Sequence, residues 1–126
     1  MVARGTFSID RKPGDAELGG AIARFDFTKQ FEGDLVATGA GLMLSGGDPA
    51  AGSAGYVAIE TVEGTIGERS GSFALQQFGV MDGGRHDLHY AIVPGSGRAG
   101  FAGISGELRL SDGHAFELEY ELAAGR

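Results

Sequence analysis

The stretch 113-GHAFELEYEL-122 decides the fold. His114, Phe116, Leu118, Tyr120 and Leu122 fall on one side of a two-residue alternation, and Glu117, Glu119 and Glu121 fall on the other. A half-buried antiparallel strand reads this way, apolar inward and polar outward. On a helix the same side chains would scatter around the axis. The acidic row makes a solvated outer face that discourages edge-to-edge association. Arg109, on the preceding strand, is its cross-strand partner.

The same period recurs toward the N-terminus. Phe7 and Ile9 alternate with Thr6 and Ser8. Phe25, Phe27 and Phe31 alternate with Arg24, Asp26 and Gln30, and Leu35, Ala37, Gly39, Gly41 and Met43 share one face. The runs 56-YVAIETV-62, 73-FALQQFGVM-81, 86-HDLHYAIV-93 and 104-ISGELRL-110 follow, separated by glycine-rich turn signals. Asp112-Gly113 predicts a two-residue type I′ hairpin. Eight strands are thus predicted, over residues 2–10, 22–32, 34–45, 54–64, 68–81, 85–94, 99–110 and 114–123, with 11–21 as a loop. No linker divides the chain, so residues 1–126 are read as one domain.

Eight antiparallel strands pack as a sandwich or close into a barrel. Strands of ten or more residues favour an all-β, eight-stranded antiparallel closed barrel. So do glycines inside them, at 39, 41, 55, 71, 79, 103 and 106, because a curved wall needs bulges or bends. Such a barrel is filled by its side chains or holds one small ligand.

Composition narrows the function classes. Glycine supplies 24 of 126 residues, far above the roughly 7% of an average protein, a load that a helical bundle would not carry. There is no cysteine, which removes disulfides, thiolate metal sites and cysteine nucleophiles. The net charge is −7 and basic residues are not clustered, so nucleic acid and anionic membrane surfaces are poor partners. No apolar run is long enough for a signal peptide or a membrane span, and a cytoplasmic location is expected.

Motifs for familiar chemistry fail on context. Gly95, Gly97 and Gly100 spell G-x-G-x-x-G, but a strand-like run follows where a dinucleotide site needs a helix. His86 and His89 are three apart on a strand and point to opposite faces, and His114 is distant, so no metal and no cofactor are expected. The notable residues are polar groups on the inward parity: Tyr56 and Glu60, Gln77, Tyr90, and Tyr120. A carboxylate inside a barrel is costly unless paired or protonated, and a raised pKa in a dry cavity suits a general acid or base. Glu60 is the candidate catalytic residue, and Tyr56, Glu60, Gln77, Tyr90 and Tyr120 are the candidate ligand-binding set. A bulge at Gly55 or Gly64 would instead turn Val57 and Ile59 inward and leave Glu60 on the surface.

The runs 29-KQFEGDLVATG-39, 53-SAGYVAIETVEGTIGERSGSFALQQFG-79, 93-VPGSG-97, 103-GISGEL-108 and 113-GHAFELEYEL-122 together resemble the bacterial domain-of-unknown-function family DUF3224. The resemblance covers nearly the whole chain. It implies a barrel like that of allene oxide cyclase, related to calycin-like barrels, and leaves function open. The chain departs from the pattern at Gln77, where the resemblance implies histidine, and at Ala99-Gly100, where it implies Gly-Glu.

Three functions follow as expectations. The first is a barrel binding a small hydrophobic ligand among Phe7, Phe25, Phe27, Phe73, Tyr90, Phe116 and Tyr120. The second is a cofactor-independent isomerase or cyclase in which Glu60 moves a proton and Tyr56, Gln77 and Tyr120 orient the substrate. The third is a structural module with a filled interior. Homo-oligomerisation is also expected, because Phe78 and Phe101 lie off the inner face.

Overall fold

The computed structural model describes residues 1–14 and 22–122. Nine strands form one sheet: β1 (Val2–Pro13), β2 (Ile22–Gly33), β3 (Leu35–Asp48), β4 (Ser53–Ile66), β5 (Arg69–Asp82), β6 (Arg85–Ile92), β7 (Arg98–Ala99), β8 (Ser105–Ser111) and β9 (Ala115–Glu121). Eight of them close a barrel in the order β1-β2-β3-β4-β5-β6-β8-β9, with β9 returning to β1, every pairing being antiparallel. The two-residue β7 pairs with Gly71 and Ser72 of β5, on the edge of β5 that β6 uses and beyond the end of β6.

The inward parity survives the glycines. The β3–β4 and β4–β5 ladders run in unbroken register from Ser53 to Ile66, straight through Gly55, Gly64 and Gly71. Glu60 therefore stays on the inner face with Tyr56, Ala58 and Val62, while Val57 and Ile59 are more than half exposed on the outer wall. The glycines provide space rather than bulges. A Cβ on Gly39 would lie 2.6 Å from the Glu60 carboxylate, and one on Gly41 would lie 2.6 Å from the ring of Phe27.

Four predictions need correction. The strand expected over 99–110 is broken: 100–104 turn, with Phe101 and Ile104 folded into the barrel end, and β8 starts at Ser105. Ala99 and Gly103 take left-handed φ of 55° and 78°, which no strand continues through. Phe101 is accordingly fully buried, edge-on to Phe73 at 5.5 Å, and does not lie off the inner face. The β8–β9 connection uses three residues, Asp112 to His114, because Ser111 pairs with Ala115. β1 continues to Pro13, three residues into the expected loop; residues 15–21 of that loop, and residue 123 of the last strand, lie outside the described residues.

The core fills only one half of the barrel. Phe31, Leu35, Val62, Phe73, Leu75, Ile92, Leu108, Phe116 and Leu118 occupy it, with Phe101 and Ile104 closing that end. Such side chains each contribute roughly 1.5–3 kcal/mol on burial. The other half is different.

Candidate functional site

At the end carrying the β3–β4, β5–β6 and β8–β9 turns the lumen opens as a cavity of about 440 Å³. Its walls are largely apolar: Phe7, Phe25, Phe27, Met43, Leu88 and Leu110. This is within the size range of small-molecule sites, which are typically apolar with a few convergent polar groups. Here the polar groups converge on the floor.

The floor is a connected hydrogen-bond chain. The hydroxyls of Tyr90 and Tyr56 are 3.2 Å apart. Tyr56 donates to Gln77 Oε1 at 3.3 Å, and Gln77 Nε2 donates to Glu60 Oε1 at 3.0 Å. The same carboxylate oxygen accepts from Lys29 Nζ at 2.6 Å, and both side chains of that ion pair are almost entirely buried. With Tyr56 donating to Gln77, its single proton is used, so Tyr90 is the donor between the two phenols. Each strand delivers its member by parity alone: Lys29 follows Phe25 and Phe27 along β2, Glu60 follows Tyr56 and Ala58 along β4, and Gln77 faces Tyr90 across the β5–β6 ladder.

The ammonium of Lys29 sits among four rings. Its Nζ is 4.9 Å from the centroid of Phe7, 5.3 Å from Phe27, 5.5 Å from Tyr90 and 5.9 Å from Phe31. Ring faces attract a cation, more strongly when water is excluded. Glu60 is less well served. Its Oε2 is buried with no hydrogen-bond partner. Burial pushes the Glu60 carboxyl above the usual carboxylate range, although the Lys29 charge and the hydrogen bonds from Lys29 and Gln77 pull it back. Burial likewise raises the Tyr56 and Tyr90 hydroxyls; the hydrogen bond between them raises Tyr90 further and draws Tyr56 down, while the Glu60 charge raises both.

Four of the five candidates read from the sequence form this one chain. Tyr56, Gln77 and Tyr90 line the cavity directly. Glu60 lies beneath the floor, behind Lys29 and Gln77, and is not part of the cavity surface. Tyr120 is placed elsewhere, in the packed core opposite Gly106 of β8. The sequence reading missed Lys29. The signal was its parity, since it follows Phe25 and Phe27 and precedes Phe31 on one face of β2, and it is one of only two lysines in the chain.

Among the described residues no group of three or more His, Asp or Glu side chains is arranged to hold a metal ion. None of the described helices is long and apolar enough to cross a membrane. A second hollow, about 700 Å³, lies over the outer wall between Leu42, Ile59, Phe78 and His89, and reaches Gln77 and Tyr90 beside the short β6–β8 pairing. Its charged lining, Glu107 and Arg109, is more than half exposed, and of the buried polar chain it touches only Gln77 and Tyr90, whereas the lumen also meets Tyr56 and Lys29; the lumen is the candidate site.

No curated protein matches the chain. A solved structure does: a protein of unknown function from the DUF3224 family of Shewanella oneidensis MR-1 is 36% identical, with 99% of this chain and 98% of that one covered and a TM-score of 0.90. The family model described as "Protein of unknown function (DUF3224)" matches residues 3–123. The chain belongs to the DUF3224 family.

Proposed function

We propose that this protein binds a small, mainly apolar molecule in the open half of its barrel. One observation carries the reading: the lumen is packed solid at one end and left open over about 440 Å³ at the other, where apolar walls meet a polar floor. A purely structural barrel gains nothing from that opening, because a filled interior would add dispersion contacts and bury more apolar area. The phenols of Tyr56 and Tyr90 and the amide of Gln77 are fixed in place by their own hydrogen bonds, so they meet a ligand preorganised. The isomerase reading is weaker in its original form, because Glu60 does not touch the cavity.

Native mass spectrometry of gently purified protein tests the proposal, together with binding of the neutral fluorophore N-phenyl-1-naphthylamine. Ser45 faces the cavity from β3 near its mouth, so Ser45→Phe obstructs the entrance without entering the core. A retained small molecule, and probe binding lost in Ser45→Phe, are expected. Probe binding unchanged by the plug, with no retained mass, would overturn the reading.

A further inference from the structure

The cavity has a charge of its own. The chain carries 17 acidic residues against 10 lysines and arginines. Yet no Asp or Glu lines the open half of the barrel among the described residues, while Arg11, Lys29, His86 and His114 all do. With its three histidines counted the chain has 13 basic groups against 17 acidic ones, so a lining of four basic groups and no carboxylate departs from the whole.

The basic groups are not equivalent. Lys29, at the floor, is already neutralised by Glu60 at 2.6 Å. A second anion there would meet the Glu60 charge. Arg11 stands at the mouth, two residues beyond Ile9 on the inner face of β1. Arg4, Arg24 and Arg109 each meet a carboxylate, whereas Arg11, like Arg69, Arg85 and Arg98, has no ion-pair partner among the described residues, and of these four it alone lines the cavity. Arg11 and Tyr56 line the same cavity. His114 is held beside the same mouth, its ring stacked on Phe7 at 4.8 Å. A guanidinium that meets no carboxylate among the described residues, at the rim of an apolar cavity, matches a planar anion on an apolar body.

We infer that the ligand is an amphipathic anion, a carboxylate-type head on an apolar body, taken in body first, with the head held at the mouth by Arg11 beside His114 and His86. The inference rests on the lumen-binding reading and adds the ligand's polarity and its direction. The floor then meets the far end of the body, where Tyr56 and Tyr90 face it. An acidic protein repels free anions at long range, so the basic mouth supplies local selectivity.

The test uses displacement of N-phenyl-1-naphthylamine by octanoate and by octan-1-ol, which share a body and differ in the head, at neutral pH and low ionic strength. In the wild-type protein octanoate is expected to displace the probe at concentrations about tenfold lower than octan-1-ol, the scale of one charge-assisted hydrogen-bonded contact. Arg11→Gln should bring the ratio close to one, chiefly by weakening octanoate, and Arg11→Lys should recover part of it. Arg11 is exposed, so both variants keep the fold, which unchanged far-ultraviolet circular dichroism and urea midpoint verify. Equal displacement by the two compounds in the wild type, or a ratio indifferent to Arg11→Gln, overturns the inference and leaves lumen binding standing. Probe binding that Ser45→Phe does not diminish overturns both.

Discussion

Replacing Lys29 and Glu60, singly and together, probes the centre of the barrel most directly. The two groups are buried, 2.6 Å apart, and share a carboxylate oxygen with Gln77. Removing one member of a buried ion pair costs about 3–5 kcal/mol, because the other charge stays buried without its partner. Lys29→Met should fall in that range at pH 7, since Glu60 keeps only its bond from Gln77 and Oε2 has no partner already. Glu60→Met should fall toward the lower end, because four ring faces still surround the ammonium. The double variant should lie between wild-type stability and about 4 kcal/mol above it, since unbranched methionines fill both slots and no charge remains to desolvate. The pH dependence carries a sign. Glu60 is pushed above its ordinary value of 4.5, chiefly by burial, so the folded state favours its protonated form. That contribution to stability is complete below the ordinary value and is lost as pH rises through the folded one. Without Lys29 the upward push is stronger, so the deficit of Lys29→Met should shrink on acidification toward pH 4.5, and that of Glu60→Met should not follow it. Urea unfolding followed by far-ultraviolet circular dichroism measures all four proteins; the chain has no tryptophan to report instead. A double variant that loses the sum of the single losses, or a Lys29→Met deficit that grows on acidification, would refute the reasoning.

Other outcomes follow from single positions. Gly41→Ala should cost about 1–3 kcal/mol in urea unfolding, because its Cβ would press on Ile59 O, the Phe27 ring and Glu60; Gly55→Ala, whose nearest neighbour is at 3.6 Å, should be neutral. Ala99→Gly should stabilise by up to about 1 kcal/mol, because alanine holds a left-handed φ of 55° there at a cost of roughly 1–2 kcal/mol that glycine avoids. In alkaline difference spectroscopy the Tyr56 and Tyr90 hydroxyls should ionise above the ordinary value of 10, Tyr90 the later of the two, and the stability tied to their neutral forms should fall as pH rises through the folded values.

The strand alternation and the barrel were legible because a two-residue period survives any local detail, and no ladder through Gly55, Gly64 or Gly71 slips. The segment 99–110 was not legible as a break. Its side-chain pattern continues across the turn, and the reversal is made by the backbone at Ala99 and Gly103. Position 99 is also where the family resemblance implies glycine, so the departure and the strained φ are one fact seen twice. Gln77 resolves in a similar way. The resemblance implies histidine there, and one amide now accepts from Tyr56 and donates to Glu60, as the two nitrogens of a neutral imidazole also can. The chain of hydrogen bonds therefore survives the substitution, although a group able to take up a second proton is replaced by one that cannot. Lys29 was missed for a physical reason. Lysine is read as surface because a lone buried ammonium is prohibitive, and its acceptability depends on Glu60, thirty-one residues later, and on rings from two other strands, Phe7 of β1 and Tyr90 of β6. Parity can place a side chain inside a barrel. Only the closed ring decides which inward residues meet, and here it brings the one inward carboxylate of β4 against the one inward amine of β2, just below an otherwise basic cavity.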